Sequence, residues 1–96
     1  MTINFTKNGE VLNINLDGRL DTVTAPEFES FLKDNVAGVS AIEINCEKLA
    51  YVSSAGLRVL LSAHKRMMGA LKLVNVCELV MEVFEITGFA DILVIE

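Results

Sequence analysis

The stretch YVSSAGLRVLL, residues 51–61, changes its periodicity in the middle. Upstream, AIEINC (41–46) alternates Ile42, Ile44 and Cys46 with Glu43 and Asn45, the period-two pattern of a strand with one buried face. Downstream the apolar residues fall at helical spacing. Between the two lie Ser53, Ser54, Ala55 and Gly56. Serine is a favoured helix N-cap because its side-chain oxygen accepts a backbone N–H two or three residues on. With Ser53 as the cap, Ser54 becomes the first helical residue and projects from the positive end of the helix dipole. Paired hydroxyls at that point admit two roles, a cap and a modifiable switch.

The same alternation of strand and helix extends in both directions. INF (3–5) and VLNINL (11–16) flank Asn8-Gly9, a hairpin signal. Thr24 and Glu27 fit a capping box with Pro26 in the first turn, and Phe28, Phe31, Leu32 and Val36 form one helical stripe ahead of Gly38. Glu29 and Lys33 are spaced to pair on the opposite side. In the helix after Ser53, Leu57, Leu60, Leu61, His64 and Met68 are expected on the buried face. Arg58, Ser62, Lys65 and Arg66 are expected outside, and Gly69 ends the helix. LKLVNV (71–76) is a further strand. ELVMEVFEITGF (78–89) is a helix with Leu79, Val80, Val83 and Phe84 inward and Gly88 as its C-terminal cap, and ILVIE (92–96) is a last strand. Met67, Met68 and Met81 read as packing residues.

This order implies an α/β fold, mainly a parallel sheet with an antiparallel N-terminal edge strand. Polar residues at the alternate positions Asn13, Asn15, Glu43 and Asn45 place the helices mostly on one face. The sequence does not specify the strand order. The 96 residues suit one domain, spanning 1–96, with no repeat or linker.

Composition narrows the function. A net charge of −5 disfavours binding to phosphate backbones, so nucleic acid is not an expected partner. No apolar run is long enough to cross a bilayer and the N-terminus lacks a signal-peptide pattern. The expectation is a soluble, cytoplasmic protein with no membrane partner. Cys46 and Cys77 lack metal-ligand spacing and read as reduced, buried thiols; His64, the single histidine, reads as a packing residue. No phosphate loop, nucleophile elbow or nucleophile–base pair is present, and no cofactor or metal site is expected. Asp17, Asp21 and Glu27 can approach one another around a helix start, where carboxylates usually cap or face solvent. The expectation is a binding module and not an enzyme.

Three segments together resemble the STAS domain, the family of bacterial anti-sigma factor antagonists and of the cytoplasmic domains of sulfate transporters. They are LDGRLDTVTAPEFESFL (16–32), INCEKLAYVSSAGLRVLLSAHKRM (44–67), and LKLVNV with VFEITGF (71–76 and 83–89). The middle segment is the most specific. In antagonists of this family a serine at the start of that helix is phosphorylated by a partner kinase, which is also the anti-sigma factor. The matching position is Ser54. The resemblance implies that the unphosphorylated protein binds the kinase, that phosphorylation breaks the complex, and that a serine phosphatase restores it. Asp21 matches the family's acidic residue in the neighbouring loop, where a local Asx-turn explains it equally well.

Asp21, Ser53, Ser54, Ala55, Gly56 and Arg58 are thus the candidate partner-binding residues, with Gly56 read either as a bare turn open to a partner or as a tight helix–sheet contact. Two departures from the family stand out. Many antagonists carry Asp before the serine, where this chain has Ser53, an alternative phosphoacceptor. The chain also ends directly after its last strand, which is expected to expose an edge or groove, and its terminal Met and compact ends suggest a whole protein. The reading is a stand-alone anti-sigma factor antagonist acting by partner switching. Its rivals are an accessory STAS subunit docking on an ABC-type transporter ATPase, and a weak nucleotide binder or hydrolase.

Overall fold

Asn8 and Val11 face each other across a two-residue turn, Gly9–Glu10, one position later than the Asn8-Gly9 signal is centred. Gly9 takes a φ of +63°, and positive φ at the first central position is what one common hairpin turn demands. The computed structural model describes residues 1–96. In chain order they form β1 (Thr2–Asn8), β2 (Val11–Leu20), α1 (Ala25–Asn35), β3 (Ala41–Val52), α2 (Ser54–Arg66), β4 (Leu71–Val74) and α3 (Glu78–Thr87). A 3-10 turn at Phe89–Asp91 and β5 (Val94–Ile95) complete the chain. The last strand is therefore shorter than ILVIE: Leu93 is buried ahead of it and only two residues enter the sheet.

The five strands lie in the order β1-β2-β3-β4-β5, β1 antiparallel to β2 and the rest parallel. Crossovers between parallel strands share one hand, so an order that never reverses direction places their helices on one face. The burial pattern agrees. Leu12, Ile14 and Leu16, Ile42, Ile44 and Cys46, and Leu71 and Leu73 point into one core with Phe28, Leu60 and Phe84 from the three helices. The other face is polar. There Asn75 donates to Asn45 at 3.1 Å, and Lys72 lies 3.4 Å from Glu43.

The twelve residues of β3 run alongside the ten of β2, with register shifts between Asn15 and Asp17 and between Gly18 and Arg19. Each shift reverses which face a β3 side chain takes. Leu49 is therefore buried out of step with Cys46, and Val52 is brought back into step. The far end of the strands carries a groove of about 420 Å³ lined by Val11, Ala41, Ala70 and Val94.

Several side chains differ from the expected stripes. The buried line on α2 is Gly56, Leu57, Val59, Leu60 and Ala63, with Leu61 and His64 only half-buried. Met68 is 93% exposed, beyond the helix end, with a φ of +54°. Small residues at 56 and 63 let the helix approach the sheet closely, which rotates that line away from Leu61 and His64. On α3, Val80 and Phe84 are buried while Leu79 is exposed. Cys77 is half-buried, not buried, and both thiols are free.

The close approach of α2 is sharpest at Gly56. A Cβ there would lie 2.8 Å from both the Cγ and the carbonyl oxygen of Leu20. The leucine side chain can shift; the strand carbonyl cannot without disturbing the sheet. Gly56→Ala is therefore expected to destabilise the fold by about 1–3 kcal/mol, the usual range for overpacking. Urea denaturation checks this, and an unchanged midpoint would contradict the packing.

Candidate functional site

Parallel pairing places the carboxyl ends of β2 and β3 side by side. Leu20 faces Val52, and the N–H of Ser53 donates to the Leu20 carbonyl at 2.9 Å. The next residues, Asp21 on one strand and Ser53–Ser54 on the other, thus leave the sheet as neighbours. The sheet brings together the two candidate segments that are more than thirty positions apart in the sequence.

Ser53 is the N-cap of α2. Its backbone is extended (φ −95°, ψ 175°), and its Oγ accepts the N–H of Gly56 at 3.4 Å. The Leu57 N–H donates to its carbonyl at 2.9 Å. Ser54 follows as the first helical residue, exposed, with a hydroxyl that makes no hydrogen bond within the protein. The two hydroxyls are thereby divided: one closes the helix end and the other is free. Ala55 is half-buried and Arg58 is exposed one turn further on. Gly56 is buried against Leu20, so the tight helix–sheet contact holds and the bare turn open to a partner does not.

Asp21 organises the opposite loop. Its Oδ1 accepts the N–H groups of Val23 at 3.0 Å and Thr24 at 3.1 Å, and its carbonyl accepts the Ala25 N–H at 2.8 Å. The Asp21 N–H in turn donates to Thr24 Oγ1 at 2.9 Å. This is the reciprocal geometry of a capping box, with Asp21 and Thr24 as its members. The expected Thr24–Glu27 box is not formed: Thr24 already has helical backbone angles, and its hydroxyl donates back to the Arg19 carbonyl at 2.7 Å. Pro26 occupies the first turn as expected. Glu29 and Lys33 approach to 4.0 Å on the exposed side.

Two residues absent from the sequence reading complete this end of the sheet. The Arg19 guanidinium stacks 4.4 Å over the Tyr51 ring and lies 3.8 Å from Asp21 Oδ2. Arg19 near the end of β2 and Asp21 just past it are two apart, a signal the sequence does carry. The pairing of Arg19 with Tyr51 depends on the β3 bulges, which it does not. Between the starts of α1 and α2 lies a shallow groove of about 240 Å³, lined by Thr22, Pro26, Glu29, Ala55, Arg58 and Val59.

Burial pushes the Cys46 thiol up to about 12, with nearby Cys77 acting in the same direction, so Cys46 is a packing thiol. His64 is half-buried with its Nδ1 shielded and unpartnered. No cluster of His, Cys, Asp or Glu has the arrangement to hold a metal ion. No helix is long and apolar enough to cross a membrane.

The backbone N–H of Thr24 is the main cause holding the Asp21 carboxyl below its ordinary value of 3.8, aided by Val23, the Thr24 hydroxyl and Arg19 against an opposing effect of burial. A depressed value means that the charged group stabilises the fold above about pH 3.8 and that this contribution is lost as the pH falls through the folded value. The melting-temperature gap between wild type and Asp21→Asn is therefore expected to be open at pH 5–7 and to close below about pH 3.8. A gap that stays constant down to pH 2 would contradict the arrangement.

The sequence model of the STAS domain matches residues 2–96. The chain is 28% identical to the anti-sigma-B factor antagonist of Bacillus subtilis strain 168 over 96 residues, covering 97% of this chain and 88% of that protein. It is 37% identical to BtrV of Bordetella bronchiseptica over 81 residues, covering 80% and 70% respectively. Among solved structures, the anti-sigma factor antagonist SpoIIAA in its unphosphorylated form superposes with a TM-score of 0.83 at 20% identity, covering 99% of this chain and 88% of that one. The likeness to SpoIIAA is one of fold. With all but its first residue matched, this chain belongs to the STAS domain family.

Proposed function

We propose that this protein is an anti-sigma factor antagonist that works by partner switching. The observation that carries the reading is the division of labour between the two serines: Ser53 caps α2, while the Ser54 hydroxyl is exposed and uncommitted. The relatives named above support the role, and SpoIIAA has been solved in a phosphorylated form as well. In this reading the unphosphorylated protein binds an anti-sigma factor that is also a serine kinase. Asp21, Ser53, Ser54, Ala55 and Arg58 contribute the contact surface, and Gly56 contributes by seating the helix.

The kinase moves the terminal phosphoryl group of ATP onto Ser54 Oγ. The bond to ADP breaks, the bond to Oγ forms, and the hydroxyl proton passes to the kinase or to water. The product carries roughly 1.5 to 2 additional negative charges at a helix N-terminus. The fold tolerates charge there because the dipole and free N–H groups favour it. A partner packed against a neutral hydroxyl does not. A serine phosphatase then removes the group. The protein itself acts by binding, not by turnover, and works in the cytoplasm beside the kinase.

Incubation with the cognate kinase and ATP is expected to add one phosphate, mapped by mass spectrometry to Ser54. Label on Ser53 alone would move the acceptor, and an unlabelled protein would contradict the switch. Ser54→Asp is expected to weaken kinase binding by about 2–4 kcal/mol, the cost of burying an unpaired charge, while its melting temperature stays close to wild type. Tight binding by this variant would place the switch elsewhere.

A further inference from the structure

We infer that Arg58 is the internal receiver of the Ser54 phosphate: once the serine is modified, the arginine one turn below pairs with it on the same helix. The inference rests on the reading of Ser54 as the phosphoacceptor. Residues four apart on an α-helix lie one above the other, with Cβ atoms about 5–6 Å apart, and a long guanidinium easily spans that distance. Both side chains are exposed. An acidic group N-terminal to a basic one at this spacing is also the favourable orientation with respect to the helix dipole.

Arg58 is also the cation near the site that nothing else holds. Arg19 is stacked on Tyr51 and lies beside Asp21, whereas Arg58 makes no ion pair, although Glu29 lines the same groove. Before phosphorylation the guanidinium is therefore available to an acidic group on a partner. Afterwards it is drawn to the phosphate. One modification thus adds charge at Ser54 and withdraws a cation from the adjoining surface, so the two changes act in the same direction on a partner. Arginine suits this task because its planar fork can donate two hydrogen bonds to a phosphate.

The pairing is measurable without a kinase. Phosphoserine installed at position 54 during translation is titrated by phosphorus NMR in the wild-type background, in Arg58→Gln and in Arg58→Lys. The other charged groups at this end of the sheet are Arg19 on β2, Asp21 just past it and Glu29 on α1, and these are the same in all three proteins. The second phosphate ionisation is expected to be lower in wild type than in Arg58→Gln by about 0.3 unit, a twofold change in the dissociation constant. Arg58→Lys, which keeps the charge, is expected to recover most of the difference. Equal titration of wild type and Arg58→Gln would overturn the pairing, as would a lysine variant that titrates like glutamine. Because the phosphate is placed directly, failure of the kinase to label Ser54 would count against the functional reading alone.

Discussion

The Leu20 carbonyl is the point on which this end of the molecule is built. It accepts the Ser53 N–H at 2.9 Å, and it stands 2.8 Å from where any side chain at position 56 would begin. The first contact stitches the end of β3 to β2. The second forces a glycine in the first turn of α2. Together they fix where the helix starts and how close it sits to the sheet, and the next residue along from Leu20 is Asp21. A single backbone group thereby holds two loops in register.

That arrangement explains how a surface could be altered without refolding the protein. Ser53 is committed to the helix end, so the cap survives a change at Ser54. Asp21 is committed to its own loop through two backbone N–H groups, so that loop is held without relying on the serine. The core lies on the other side of Gly56, where Leu20, Leu57 and Leu60 are buried. Charge added at Ser54 therefore meets a helix terminus that welcomes it and a surface already shaped. In the proposed switch a binding partner, rather than the fold, registers the change.

Much of this was legible from residue patterns. The alternation in 41–46, the serine cap, and the stripe of Phe28, Phe31, Leu32 and Val36 each follow from local physics and are found in place, with Phe31 half-buried at the edge of the core. The antiparallel edge strand and the single helix-bearing face followed from the order of elements and the polar alternate positions. What escaped the sequence is what depends on tertiary geometry. The two bulges in β3 decide that Leu49 is buried and that Tyr51 meets Arg19, yet no residue in EKLAYV announces them. The rotation of α2 depends on Gly56 and Ala63 letting it sink towards the sheet, so a stripe chosen by large side chains misplaced Leu61, His64 and Met68. The cap of the α1 region went to Asp21 because its carboxylate reaches two N–H groups that Thr24, already helical, cannot serve.

The central claim is that a phosphate on Ser54 changes partner binding while leaving the fold intact. Calorimetric titration of the purified kinase with the unmodified protein and with protein carrying phosphoserine at position 54 tests it most directly, with a thermal melt of each form alongside. The account predicts that the modified form binds at least about tenfold more weakly, a difference of about 1.4 kcal/mol, and melts at nearly the same temperature. Equal affinity of the two forms, or a loss of binding that accompanies unfolding, would contradict it.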